Sequence, residues 1–287
     1  MNNFLEKCAE KGFLVSILIS VFLSLGILSF LVFFSLPLIR GGHFLRMMKS
    51  GWDPYGGNFG VLPMMVGTGV IASLALFIAA PIGLGCSALI SVLAKGNVGG
   101  FIRKAVEFMT GIPTVVYGFV AIFLLVPLIR EIFNKGTGMC VLSASIVLAV
   151  LILPTIVMFL TDAFNSVPGH YLDASAALGA TPVQQLIFII IPFSWRGIVS
   201  GLVLSAGRAV GDTLISLMIA GNALQIPREL SDASRTLTAH IALIIAGDCE
   251  SPEFKSIFLC GLILFVFTAC MVLILRLLGS FGIPEDR

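Results

Sequence analysis

Charged side chains are scarce in this chain: Asp, Glu, Lys and Arg make up 11% of its 287 residues, while 58% are hydrophobic. Mean hydropathy is +1.08, outside the range of soluble domains, so the chain needs a lipid solvent. A net charge of +2 supplies no basic surface for nucleic acid. Histidine is confined to His43, His170 and His240, far apart in the chain, and no apolar segment carries a metal or nucleophile constellation. Each of the three is expected to be solvated or interfacial. The Gly-x4-Gly-Lys-Ser/Thr loop that cradles nucleotide phosphates is missing, which excludes ATP hydrolysis by this chain. The cysteines (Cys8, Cys86, Cys140, Cys249, Cys260 and Cys270) have neither paired nor metal-type spacing, and those in apolar runs are expected to act as small hydrophobes. Heptads, internal repeats and low-complexity segments are also lacking.

What the chain has is long apolar runs. A helix crossing a bilayer needs about 20 mostly apolar residues. Six runs qualify: 13–39, 61–94, 111–130, 139–160, 197–220 and 256–278. The second is long enough to tilt or to extend past the bilayer. The first follows a short charged head; it is too long for the core of a cleaved signal and lacks a small-residue cleavage site, so it reads as a retained helix. The expected organisation is residues 1–60 as head, first helix and loop, 61–278 as the transmembrane unit, and 279–287 as a tail. Trp52 and Tyr55 in the first loop suit a membrane–water boundary. Pro81, Pro113, Pro127 and Pro154 mark either ordinary kinks or helices bending around a pathway. Glu107, near the start of the third span, is expected at the interface. Basic residues divide evenly between the two sides, so charge does not orient the chain. The 221–255 loop mixes charges of both signs, as a solvated loop or a partner contact would. Its middle, Thr236–Ala246, is apolar enough for a short helix on or dipping into the membrane.

The polar segment 161–195 carries readable local chemistry. Pro168 and Gly169 turn the chain, and His170–Leu178 suits two helical turns. Gly179 fits the left-handed position that ends a helix. Thr181 then caps a second helix with Pro182 at its first position, and Pro192 is expected to end the regular run. The first helix is nearly all small (Ala174, Ser175, Ala176, Ala177), as a helix entering a partner's groove would be. Asp173 near its start complements the helix dipole. The plain alternative is an interfacial amphipathic helix, which would carry a Lys/Arg face that is missing here.

Arg208 and Asp212 lie in the middle of the fifth run, where each charge costs roughly 2.5–3.5 kcal/mol. A spacing of four puts them on one helix face, and Gly207 and Gly211 have the small-xxx-small spacing of close helix contacts. The pair is either an internal salt bridge or an anion contact, in which Arg208 offers its fork of donors and Asp212 orients the anion.

These residues carry a resemblance. Asp173-Ala174-Ser175, Gly179, Ile189, Ile191 and Pro192 keep every spacing of the coupling-loop signature E-A-A-x3-G-x9-I-x-L-P of ABC importer permeases. Gly207–Leu214 followed by Ile219–Pro227 resembles the G-R-A-x-G-E-T-M … A-G-N-A-x-x-I-P region of the C-type permease of phosphate ABC importers (PstC). Gly111–Gly118 and the stretch from Tyr55 to Thr68 are similar as well. The resemblance spans about residues 50–278. It implies an all-α membrane protein of six transmembrane helices with a type I, MetI-like permease core and a cytoplasmic coupling helix. It implies a substrate pathway at Arg208, Asp212 and Thr213 and ATPase coupling through Asp173, Ala174, Ser175, Gly179 and Ala180. Asp212 stands where the family has Glu, one methylene longer. The implied partners are a homologous A-type permease subunit, two copies of a cytoplasmic ATPase that uses ATP and Mg, and an extracytoplasmic phosphate-binding protein, with no cofactor on this chain. The implied location is a prokaryotic inner membrane, with both termini in the cytoplasm. A permease for sulfate or molybdate and an ion-coupled carrier are the other readings.

Overall fold

A computed structural model describes residues 2–40, 47–53, 56, 58–94, 97–247 and 251–280 of the chain. His43, Pro54, Tyr55, Lys95, Cys249 and the tail from Phe281 lie outside them. Besides loops and turns, the described residues form helices and one short hairpin, Trp52–Asp53 (β1) with Asn58–Phe59 (β2), in which Trp52 pairs with Phe59. The helices are α1 (Asn2–Arg40), α2 (Leu62–Ala88), α3 (Asn97–Thr110), α4 (Thr114–Phe133), α5 (Val141–Asn165) and α6 (Gly169–Ala177). They continue as α7 (Pro182–Phe193), α8 (Trp195–Gly211), α9 (Leu214–Ile219), α10 (Leu237–Ile244) and α11 (Pro252–Ser280).

Five of these helices are long and apolar enough to cross a membrane, and the α7–α8 pair, bent by 71°, raises the number to as many as six. The α2 span continues into a wide π-type turn at Leu89–Leu93. α5 is the centre of the bundle and the most buried span; α2 and α8 pack on it. The close α2–α5 contact follows from small residues. Ala72, Ala75 and Ala79 are buried, and Gly83 leaves room for Ile156. Ser hydroxyls tie the helices together, with Ser87 Oγ 3.1 Å from Val157 O and Ser145 Oγ 3.3 Å from Ile71 O. α1 lies at the edge, joined to α11 by rings, including a stacked Phe34–Phe258 pair at 4.8 Å.

The structure corrects several expectations. The run 197–220 is not one helix. α8 stops at Gly211, Asp212 takes an extended backbone (φ −70°, ψ 125°), and α9 starts after Thr213. The Asp212 carboxylate accepts the Ile215 N–H at 2.9 Å and opens a new helix, while Thr238, 26 residues on, holds the Asp212 carbonyl out of the old one. Gly207 and Gly211 make no close contact within this chain; a Cβ on either meets nothing within 4 Å. The close approach to α5 falls half a span earlier, at Gly197 against Ala163 and Gly201 against Phe159 and Leu160. Pro113 sits just before α4 rather than within a span. As expected, the regular run ends next to Pro192: α7 stops at Phe193, and the chain bends by 71° before Trp195. The missing N–H of Pro192 follows the wide π-type turn Leu186–Ile190. Glu107 lies on α3, before the third span, and pairs with Arg103 at 3.0 Å on an exposed face. His240 is 0% exposed rather than solvated, packed at 4.7 Å against the Trp52 ring with Nε2 3.0 Å from Ser256 Oγ.

Candidate functional site: a coupling loop and a broken span

The 161–195 segment folds as two short helices at one end of the bundle. α6 ends in a Schellman turn: the Gly179 N–H donates to Ala176 O at 2.9 Å, and the Ala180 N–H to Ser175 O at 3.0 Å. Gly179 has φ +84°, the left-handed region in which a side chain costs about 1–2 kcal/mol. Thr181 then makes a capping box, with its hydroxyl accepting the Gln184 N–H at 3.3 Å and Gln184 Oε1 accepting the Thr181 N–H at 2.8 Å. Asp173 and Ala174 are exposed, and Leu178 at the tip is 90% exposed. Leu178 therefore contributes nothing to the core of the bundle. Ser175, the departure from the Ala of the signature, has a local role. Gln185 Nε2 donates to Ser175 Oγ and to Leu172 O, both at 2.9 Å, clamping the second helix to the first. Gln185 was missed from sequence, because nothing in its local pattern marks a contact ten residues back. Ser194 Oγ donates to Ala163 O at 2.8 Å and fixes the return of the loop to α5.

The broken fifth span forms the second half of the site. Arg208 stays exposed on α8 and donates from Nη1 to Thr155 Oγ1 at 2.8 Å. Among the described residues Arg208 forms no salt bridge, and Tyr117 on α4 donates its hydroxyl to Met109 O at 2.9 Å. The break at Asp212 replaces the shared helix face expected from the spacing of four. The two side chains remain polar groups at the break, each with its own partner: Thr155 Oγ1 for Arg208 and the Ile215 N–H for Asp212. Thr213 is half-buried, and its carbonyl accepts the Leu217 N–H at 2.9 Å. From α10, Thr238 Oγ1 donates to Asp212 O at 2.9 Å, so the segment leading into α10 folds back against the break. Thr155, Tyr117 and Thr238 were not singled out from sequence. The signal for Thr155 was its place after Pro154, where a polar side chain sits in an apolar run.

The segment after α9 is held firmly. Gly221 and Asn222 both take left-handed backbone (φ +83° and +56°), and Gly221 bridges to Ser234. The Asp232 carboxylate accepts the Glu229 N–H at 2.9 Å and the Arg228 N–H at 2.8 Å, which hold it below the usual carboxylate range. The Leu237 N–H donates to Thr68 Oγ1 at 2.9 Å, anchoring the start of α10 on α2. Outside this anchor lies an open cavity of about 750 Å³, bordered by Trp52, Pro63, Ala223, Leu224, Arg228 and Ala233.

Comparison with known proteins agrees with this geometry. The family described as binding-protein-dependent transport system inner membrane component matches residues 81–281. A probable ABC transporter permease protein of Bacillus subtilis, YqgH, is 33% identical, over 95% of this chain and 88% of that protein. The phosphate transport system permease protein PstC of Haemophilus influenzae is 31% identical, over 83% and 81% of the two chains. Among solved structures, an inward-facing MetNI methionine ABC transporter superposes with a TM-score of 0.57 at 18% identity, over 76% of this chain and 97% of that one. A bacterial alginate ABC transporter superposes with a TM-score of 0.57 at 14% identity, over 92% and 94%. At those identities the structural matches speak for the fold alone. The chain thus belongs to the binding-protein-dependent inner-membrane components, as a non-catalytic, multi-pass permease subunit of an ABC importer.

Proposed function

We propose that the chain is the C-type permease of an ATP-driven phosphate importer. It would form half of the translocation path beside an A-type permease, dock two copies of an ATPase, and receive phosphate from an extracytoplasmic binding protein. Both termini and the 161–195 loop face the cytoplasm in this reading. The observation that carries it is the broken span, where an exposed Arg208 guanidinium and the Asp212 carboxylate, four residues apart, stand at the break in an otherwise apolar run. The phosphate permeases among the relatives supply the choice of anion.

The chemistry suits a protonated tetrahedral oxyanion. Arg208 offers a planar fork of donors. Asp212 uses one oxygen on the Ile215 N–H and keeps lone pairs for a proton carried by the anion. Phosphate at neutral pH carries such a proton; sulfate does not and meets only repulsion from the carboxylate. Nucleotide-driven movement of the ATPase would reach the path through α6, whose rigid turn at Gly179 and clamp at Gln185 let the loop move as a body.

The test is uptake of labelled phosphate into vesicles holding the chain with its permease partner, ATPase and binding protein, with ATP supplied or withheld. ATP-dependent uptake that sulfate and molybdate do not compete away is the expected result. Uptake without ATP would move the chain to ion-coupled carriers, and competition by sulfate or molybdate would replace the anion.

A further inference from the structure

A second cation lies near the broken span. Arg235 is half-buried, and no carboxylate lies within 4.0 Å of it among the described residues. Its Nε donates to Asn222 O at 3.1 Å, which fixes the guanidinium over the Gly221–Asn222 bend. A half-buried guanidinium held by one backbone carbonyl has donors to spare. Asn222 supplies the complementary group. Its Nδ2 donates to Leu217 O at 2.7 Å, which identifies the other amide atom as the oxygen. That oxygen, Oδ1, is buried and has no partner among the described residues. A buried acceptor left unmade costs about 1–3 kcal/mol, so its retention calls for a ligand or another reason.

The setting is built rather than loose. Gly67 brings α2 hard against Ser234 and the Arg235 carbonyl, and Thr68 holds Leu237. Three residues after Arg235, Thr238 bonds the Asp212 carbonyl, so the bend lies one short step from the break at Asp212. Ala223 and Ala233, next to this bend in sequence, border the open cavity of about 750 Å³. Because α8 crosses the bundle away from the coupling loop, the bend and cavity lie at the opposite end. The Asp232 carboxylate borders the same cavity and is engaged by the Arg228 and Glu229 N–H groups.

We propose that Arg235 and Asn222 form an outer anion contact on the translocation path, selective for a protonated tetrahedral oxyanion. Arg235 donates to the charged oxygens, and Asn222 Oδ1 accepts from the protonated one. The proposal rests on the phosphate-importer reading above and deepens it, since it gives the path a waiting position before Arg208. It also divides the work: the outer pair reads the proton without a negative charge, so it holds the anion more weakly repelled than Asp212 does.

The test is equilibrium dialysis of labelled phosphate against the detergent-solubilised permease–ATPase complex, with no binding protein present. Saturable binding displaced by arsenate and not by sulfate is expected. Arg235→Gln should weaken it about tenfold, and Arg235→Lys less, because the charge remains. Asn222→Gly, which keeps the left-handed backbone, should let sulfate compete. Unchanged binding in Arg235→Gln would overturn the proposal, as would equal displacement by sulfate and arsenate in the unaltered complex. Thermal unfolding midpoints of the same variants identify a purely structural role: a large drop shared by Arg235→Gln and Arg235→Lys, with equal loss of binding, also overturns it. ATP-driven uptake by the unaltered complex, measured in parallel, separates the two readings. Phosphate uptake without the dialysis signal removes the outer contact alone, whereas no phosphate uptake removes the substrate reading and this proposal with it.

Discussion

At the scale of single residues, the polar side chains decide most. Arg208 is expected to lose function even as Lys, because a point charge replaces the fork. In the vesicle assay Arg208→Lys should lower uptake about tenfold, equivalent to about 1.4 kcal/mol of anion contact; uptake at the unaltered rate would remove Arg208 from the path. Asp212 bonds the Ile215 N–H and, in the proposed function, also selects the anion, two duties that substitution can separate. Asp212→Asn keeps an oxygen for the Ile215 N–H and should preserve the fold while weakening the preference for phosphate over sulfate. If that preference is unchanged in a working complex, Asp212 is a helix cap and no selector. His240 makes a different kind of prediction. Burial, and then the Arg235 charge, push its imidazole down to about 4. The buried neutral form is favoured, so its contribution is complete above the unfolded value near 6.5 and is lost as pH falls from there through 4. The loss amounts to ~3 kcal/mol. Melting midpoints of the solubilised chain at pH 7.5, 5.5 and 4.5 should therefore fall more steeply than those of His240→Phe.

At the scale of elements, turns and close contacts carry the predictions. Nothing within 4 Å would meet a side chain at Gly179, so backbone strain alone opposes substitution there. Gly179→Val should straighten or displace the end of α6 and separate ATP hydrolysis from uptake, while Gly179→Asn, tolerant of the left-handed region, should retain most coupling. Equal uptake by both variants would mean that the turn is not used in coupling. Gly201 is opposed by packing instead: an added Cβ would lie 2.9 Å from the Phe159 Cβ and 3.0 Å from a Leu160 methyl. Gly201→Val should push α8 off α5 at a cost of about 1–3 kcal/mol, read as a lower melting midpoint. These two glycines do opposite things, one permitting a backbone angle and the other a helix approach.

At the scale of the whole molecule, one central helix organises the path. α5 is the most buried span and meets α2 and α8. It contributes Thr155 to Arg208 at one level and Ala163 to Ser194 at the start of the return from the coupling loop. The 161–195 loop and Arg208 thus share one support, which in the proposed function would give motion of α6 a mechanical route to Arg208. Much of the remaining surface is apolar. Phe119, Phe123 and Leu124 of α4 are widely exposed, as suits lipid or a second permease rather than water. In the alternating-access reading, closure of the path requires that second subunit, because a single chain leaves Arg208 open on one side.

Sequence alone was enough for the solvent, the class and the loop. Long apolar runs demand a bilayer wherever they fold, and the Gly179–Thr181–Pro182 turn is local chemistry that needs no distant partner. The signature spacing, carried by residues near in sequence, likewise survives in the structure. What only tertiary structure decided was the shape of the fifth span and the company of its charges. The Gly211-Asp212-Thr213 triplet does carry a helix-stop and cap signal, but an apolar run across it argues just as strongly for continuity. The choice was made by Thr238 arriving from a segment 26 residues on to hold the Asp212 carbonyl. Burial of His240 and the meeting of Arg235 with Asn222 depend in the same way on a loop folding back onto α2. Periodicity describes which face of a helix is apolar; it is blind to where the chain will leave the helix and what will come back to meet it.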